Sequence, residues 1–475
     1  IPPEGKAKHM EEIRKDDVDD GGKLTRREFL KVGAAGLAGV TLGGLSFVER
    51  AFAHHPPGSY NPNLPPPKYA VERGARLRLL RWVEFVKGDR ELWLANTKKF
   101  EEQTGVKVDI EWITWEDVRP KAAMTASVGA GPDIVLGWFD DPHLYPEKLV
   151  DVTDLAEYLG KKYGGWYDVM VSYGYSKALK RWIAIPFGAP GACITYRESW
   201  VREAGYDRFP STIDDFLKLC KKLKEMGRPT GFALGHAVGD GNTWTHWWLW
   251  SFGGRVVEED GKTVAINRKE TWDALEAARA LYETMIPGVA SWLDPHNNKA
   301  FLAGEISLTN NGISIYYAAK NSPDPKLQEM AKDINHANFP VGPLGRPAEL
   351  HLLTQAFIFR HTRYPNAAKE YLRFMMEEAQ YGPWENAMLG YVTQSLKYYS
   401  HLPVWTDDPK HTPYRETTAR MLPNSWKGSP GPKSAAAMAE YIVVDMFADA
   451  LTGGGTPQGA ARRAEERLRR IYSGK

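Results

Sequence analysis

From about residue 71 the chain alternates between two hydrophobic periods. Arg76 to Trp82 (RLRLLRW) is a short apolar run suited to a buried strand. The next segment, ELWLANTKKFEEQTG, carries Leu92, Ala95 and Phe100 at helical spacing and stops at Gly105, a residue that suits a helix end. VKVDIEW alternates apolar and polar positions as a strand does. VRPKAAMTASVGAGPDIVLGW then predicts a helix, a Gly-Pro break and a buried strand from Ile134 to Trp138. Strand, helix, strand, helix, strand implies parallel pairing and an α/β domain.

IAIPFGAPGACITYR interrupts this rhythm, and a second α/β unit begins after it. STIDDFLKLCKKLKEMG offers Ser211 and Thr212 as caps, a helical period and a stop at Gly227. VVEEDGKTVAI places Asp260-Gly261 between two alternating runs, a hairpin signal. Helical patterns follow in ETWDALEAARALYETM and PNAAKEYLRFMMEEA, then in SAAAMAEYIVVDMFADAL and PQGAARRAEERLRRIY. No short repeat of solenoid type occurs.

TWTHWWLWSFGG stands apart, with four tryptophans between Trp244 and Trp250. Such density means a buried core, a membrane contact or a surface on which flat ligand faces stack. Trp247, Trp248 and Trp250 with Leu249 and Phe252 make the helix apolar on every side, which means burial. Trp248 and Trp250 are assigned to core, while Trp247 fits either core or ligand. Trp244 lies at the helix start, where unpaired backbone N–H groups add donors, and is assigned to the ligand.

The N-terminal region supplies the compartment. TRREFLKVGAAGLAGVTLGGLSFVERAFA sets Arg26-Arg27 before a soft Gly/Ala-rich apolar run, Val32 to Val48, and an A-x-A site at Ala51 to Ala53. The arginine pair with its Phe-Leu-Lys tail looks like a twin-arginine signal, which carries folded proteins. Residues 1–53 are therefore expected to be a twin-arginine signal peptide rather than a membrane anchor, since glycines dilute the run. Residues 54–70 hold six prolines and read as a solvated, extended linker without core-forming residues. His54-His55 is expected to be part of that solvated end rather than a metal site.

The 475 residues carry a net charge of +2 with no basic block, so nucleic acid is not an expected partner. Only Cys193 and Cys220 occur, which excludes a disulfide-stapled scaffold and leaves their pairing open. There is no H-E-x-x-H, G-x-S-x-G, P-loop or S-x-x-K, and the histidines lack metal-ligand spacing. No cofactor, metal or catalytic residue is expected.

Along residues 76–475 the chain resembles the extracellular solute-binding proteins of sugar-importing ABC transporters, the maltose-binding-protein-like group. KFEEQTGVKVDI followed by GAGPDIVLGWFDD matches a first-domain segment, and IPFGAPGACITYR matches the first interdomain crossover. FLAGEISLTNNGISI and AFIFRHTRYPNAAKEYLRFMM match later family segments. The resemblance implies an α/β, two-lobed periplasmic binding protein fold, hinged by crossing strands. It divides the chain into domain one, 71–190 plus 350–392, and domain two, 191–349 plus 393–475. It also implies a carbohydrate ligand (a mono- or oligosaccharide or polyol), ABC permease subunits as partners, a monomer, and a periplasmic location. Two departures stand out. Asn311-Gly312 is followed by Ile313-Ser314 where the family has Trp, and HLLTQAF lacks the small residues usual after the second crossover.

A sugar offers apolar C–H faces to aromatic rings and hydroxyls to carboxylates and amides. That pairing recurs at strand ends. Trp82 and Glu84 follow the first strand, and Trp138, Asp140 and Asp141 follow the third, where Asp141 serves either ligand or turn. GDGNTWTHWW contributes Asn242, Thr243, Trp244 and Trp247. EISLTNNG adds Asn310 and Asn311, Tyr391 either lines the cleft or packs the hinge, and Trp426 lies in a loop. An anionic sugar would need Arg or Lys in the cleft, and none is placed there. The alternative to a binding protein is an exported hydrolase or lyase using an acid pair such as Glu84 and Asp140. A third reading is a sensor subunit on the same fold.

Overall fold

The computed structural model describes residues 60–473. The twin-arginine segment and His54-His55 lie outside the described residues. The first half begins with β1 (Arg76–Trp82), α1 (Lys87–Thr104), β2 (Lys107–Ile113), α2 (Trp115–Val128) and β3 (Ile134–Trp138). Gly105 closes α1 in the left-handed conformation, φ 72°, its N–H donating to the Glu101 carbonyl. β1 pairs in parallel with both β2 and β3, as strands joined by helices must. α3 (Thr153–Lys162), α4 (Asp168–Gly174) and a short hairpin of β4 (Tyr175–Ser176) and β5 (Arg181–Trp182) lead to β6 (Ile185–Ala189).

The chain then enters the second lobe through β7 (Cys193–Arg197), α5 (Glu198–Glu203), α6 (Ile213–Glu225), α7 (Asp240–Ser251), α8 (Lys269–Tyr282), α9 (Asp294–Leu302) and β8 (Leu308–Asn311). α10 (Ser314–Lys320), α11 (Pro325–Asp333) and β9 (Ile334–Ala337) complete a three-stranded sheet of order β8-β7-β9. Thr212 caps α6 by accepting from the Asp215 N–H, and Asp260-Gly261 does turn a hairpin, with Val257 bridged to Val264.

β10 (Thr354–Ile358) returns to the first lobe and inserts antiparallel between β3 and β6. α12 (Pro365–Met376), α13 (Glu378–Ala387) and β11 (Thr393–Gln394) follow, giving a mixed six-stranded sheet of order β11-β6-β10-β3-β1-β2. Gly188 in β6 has φ +145°, and a Cβ there would lie 2.3 Å from the Thr393 carbonyl oxygen. Only glycine lets β11 close this sheet edge.

The C-terminal part holds α14 (Thr412–Arg415), α15 (Thr417–Arg420), α16 (Pro432–Ala439), α17 (Ile442–Thr452) and α18 (Pro457–Ser473). The segment SAAAMAEYIVVDMFADAL is two helices rather than the one its pattern predicts. Tyr441, at φ 53°, breaks it and turns α17 onto α8 and α18. The proline-rich stretch also differs from expectation at its described end. Tyr60 stacks on Tyr398 at 4.1 Å and donates to a Glu378 carboxylate oxygen at 2.8 Å, so the chain is docked from this residue on.

One ion pair lies wholly inside the first lobe. The Arg81 guanidinium bonds Asp89 at 2.6 Å and is enclosed by the rings of Trp82, Trp93 and Trp112 at 4.4–4.7 Å. Asp89 also accepts from the Trp384 indole at 2.8 Å, joining α1 to α13. Removing the carboxylate strands a buried cation. Asp89→Ala should therefore cost about 3–5 kcal/mol in urea unfolding. A loss below about 1 kcal/mol would mean that water reaches Arg81.

Candidate ligand-binding site

A small cavity of about 30 Å³ lies between the lobes. Phe85 and Trp115 reach it from the ends of β1 and β2. Pro190, Ala192 and Leu352 come from the crossing segments. Asp240 and Thr243 come from the first turn of α7, Asp294 from the start of α9, Asn311 and Ser314 from the end of β8, and Tyr391 from the approach to β11. The cavity sits where strands end and helices begin, the usual ligand position in open α/β folds.

The polar wall is built by tethering two helix starts. Asp294 accepts from the backbone N–H groups of Gly239 at 3.0 Å and Asp240 at 2.7 Å. This satisfies donors that α7 would otherwise leave unpaired. Asp240 in turn accepts from the amides of Asn297 at 2.8 Å and Asn310 at 3.4 Å. Burial pushes the Asp294 carboxyl up to about 6 against the pull of those backbone bonds. Burial, then the neighbouring Asp294 charge, raises Asp240 well above the ordinary carboxylate range.

The aromatic wall is a relay. Trp115 meets Phe85 edge-on at 4.6 Å and stacks on Trp138 at 4.7 Å, and Trp138 leans on Trp82 at 4.5 Å. Hydrogen bonds from the Trp115 indole to the Val83 carbonyl, and from the Trp138 indole to the Trp115 carbonyl, hold the rings in place. On the other side Tyr391 stacks over Phe85 at 6.4 Å.

The crossings are pinned to each other. The Ala192 N–H donates to His351 Nδ1 at 3.1 Å, and His351 Nε2 donates to Glu349 at 3.0 Å. Glu349 also pairs with Arg420 at 3.1 Å. Burial depresses the His351 pKa, consistent with a neutral ring that accepts at Nδ1. The histidine in HLLTQAF, a departure in sequence, is thus the link between two crossing segments.

Residues 87–382 match the bacterial extracellular solute-binding protein family, more than half of the chain. The chain belongs to that family. Among solved structures, maltose-bound MalE3 of T. maritima shares 19% identity at a TM-score of 0.71, covering 83% of this chain and 99% of its own. A Thermotoga lettingae solute-binding protein bound with α-D-tagatose shares 17% at 0.70, covering 84% and 100%. A sugar transporter protein of Arthrobacter chlorophenolicus with laminaribiose shares 18% at 0.69, covering 83% and 98%. At these identities the likeness shows the two-lobed fold. A search of curated proteins finds no significant match.

Within this family fold, the residues expected at the ligand separate into groups. Thr243, Asn311 and Tyr391 line the cavity. Trp82 and Trp138 stand one ring behind it, supporting Trp115. Asn310 is also one layer back, its amide held by Asp240. Trp244, placed at the cleft by its position in the sequence, faces inward instead: its indole donates to the Ala233 carbonyl at 2.6 Å and its ring meets Phe232 and Phe447. Trp247 packs between Phe216 and Phe339, and Trp248 and Trp250 are fully buried, as their apolar helix implies.

Asn242 and His246, one turn apart on another face of α7, line a second cavity of about 20 Å³. Trp426 meets the edge of Trp250 and lines neither cavity. Glu84 pairs with Arg90 at 3.0 Å and Asp141 with Arg119 at 2.7 Å, and neither fronts on the cavity. The cavity residues that pattern reading missed include Phe85, Trp115, Asp240, Asp294 and Ser314. The helix-start argument that selected Trp244 applies equally to Trp115, at the start of α2.

Asp140 is fully buried in a bridge between lobe one and the C-terminal segment. It accepts from Asn424 Nδ2 at 2.8 Å and Ser434 Oγ at 2.5 Å, while the Asn424 N–H donates to the Tyr173 hydroxyl. Burial, with help from the Asp141 charge and against the Ser434 and Asn424 bonds, pushes its carboxyl up to about 7. An acid whose folded pKa is raised binds its proton more tightly when folded, so stability falls as pH rises between the unfolded and folded values. The melting temperature of wild type relative to Asp140→Asn should decline from pH about 4 to about 7. Asp240 and Asp294 act in both proteins, so the difference reports Asp140 alone. Parallel curves would show that Asp140 ionises freely.

Proposed function

We propose that the chain is an exported, periplasmic binding protein that captures a carbohydrate between its lobes and hands it to an ABC importer without turning it over. The ligand class is a mono- or oligosaccharide or a polyol. The observation that carries this reading is the cavity itself. Three rings, Phe85, Trp115 and Tyr391, face hydroxyl-binding groups on Asp240, Thr243, Asp294, Asn311 and Ser314. Apolar faces beside a rim of acceptors and donors are what a sugar requires. Structural neighbours bound to maltose, tagatose, laminaribiose and ribitol support it.

Thr243, Asn311 and Tyr391 are proposed to touch the ligand, with Trp115 as the stacking platform and Trp82 and Trp138 as its backing. The lobes are taken to divide as 71–190 plus 350–392 and 191–349 plus 393–475. Export is taken to use the twin-arginine route, with permease subunits as partners of a monomer. The cavity of about 30 Å³ is far below the volume of a ligand pocket, about 300–1,000 Å³. Admitting a sugar-sized ligand there requires the lobes to part about the crossing segments.

Melting temperatures against a panel of monosaccharides, oligosaccharides, polyols and sugar acids test the reading. A true ligand at 100 times its dissociation constant adds about 2.7 kcal/mol of stability. Recovery of that compound unchanged supports capture, and recovery of cleaved product would instead support an enzyme. Trp115→Ala should weaken the identified ligand by about ten-fold, since one stacked ring is worth about 0.5–1.5 kcal/mol beyond the area it covers. Undiminished affinity in that variant would remove Trp115 from the site.

A further inference from the structure

We propose that the cargo is an amino sugar, whose protonated amine sits against Asp240 and Asp294 while its hydroxyls meet Thr243, Asn311 and Ser314. This rests on the carbohydrate reading above and narrows it.

The argument begins with how this chain treats buried negative charge. Eight carboxylates are buried among the described residues. Four have a cationic partner: Asp89 with Arg81, Asp133 with Arg78, Asp141 with Arg119, and Glu349 with Arg420. The other four are Asp140, Glu385, Asp240 and Asp294. All but Glu385 of these four accept hydrogen bonds from neutral donors, and Asp140 and Glu385 line neither inter-element cavity. Asp240 and Asp294 alone face the space between the lobes.

Among the described residues no Lys, Arg or His lines that space. Two adjacent buried carboxylates repel each other, and withdrawing them from water is costly without a counter-charge. A neutral hydroxyl offers one donor and no charge. An ammonium group offers three donors and the missing positive charge. Three aromatic rings, Phe85, Trp115 and Tyr391, line the same space, and a cation set over an aromatic face is attracted to it.

A second observation points the same way. Tyr391 is 5% exposed and lines the cavity, and among the described residues its hydroxyl has no hydrogen-bond partner. A hydroxyl on a buried ring, left open to the cavity near two acids, is a position a ligand group can take. The same charge pattern rejects sugar acids and sugar phosphates, which would add a third negative charge.

The test compares sugars that differ only by ammonium in place of hydroxyl: glucosamine with glucose, galactosamine with galactose, mannosamine with mannose, and the chitosan disaccharide with cellobiose. Titration calorimetry at low salt and neutral pH reads each pair. Wherever either member binds, the amine should bind about ten-fold tighter or more, and added salt should reduce the ratio. Asp240→Asn and Asp294→Asn should each pull the ratio toward one. If a variant fails to fold, the wild-type ratio decides alone. A hydroxyl member that binds as tightly as its amine partner overturns the proposal and leaves carbohydrate capture standing. Absence of binding by every sugar overturns both.

Discussion

The tether between Asp294 and the first turn of α7 is the interaction on which the second lobe depends. A carboxylate at the start of one helix accepts the free N–H groups at the start of another. It fixes where α7 begins and how it is rotated. From that rotation follow three faces: Asp240 and Thr243 toward the inter-lobe cavity, Asn242 and His246 toward the second cavity, and the tryptophans toward the core. Trp244 against Phe447 and Trp248 bonded to the Ala274 carbonyl then seat α17 and α8. A single buried acid thus links the site to the packing of a whole lobe, and its burial is what gives the cavity its negative character.

The first lobe solves a different problem, how to present a flat ring at a precise angle. Trp115 stands on Trp138, which stands on Trp82, and each belongs to the central strands or to the helix that follows them. Rings locked in this way lose little freedom when a ligand stacks on the outermost one, so less of the binding energy goes into ordering. Arg81, enclosed by Trp82 and two more tryptophans, Trp93 and Trp112, stiffens the same strand.

Closure joins these two halves. The crossing segments share the Ala192–His351–Glu349–Arg420 relay, and α16 packs both on the turn after β3 and on α18. Asp140 is the point at which lobe one grips the C-terminal segment. Its place at the end of a parallel strand is where a ligand carboxylate is expected. Here the chain's own Asn424 and Ser434 satisfy it in the described form.

Local chemistry was enough for the elements. β3 ends at the residues its apolar run predicts, Gly105 stops α1, Thr212 caps α6, and the glycine-marked hairpin forms, because each depends on residues a few positions apart. The family motifs, which extend over hundreds of residues, carried the two-lobed architecture as well. The site was legible only in part. Thr243, Asn311 and Tyr391, expected from strand ends, helix starts and the family pattern, line the cavity, whereas Trp244, expected on the same ground, packs inward, and Trp115 at the start of α2 was not among the expected residues. That Trp244 faces the core follows from how α7 is seated, and its first turn is held by Asp294, some fifty residues away in sequence. Asp294 itself sits in an unremarkable DPHNN stretch, and its partners are backbone groups that no residue pattern displays. Short-range propensity decided what each segment is, and only tertiary packing decided which side chains share a cavity.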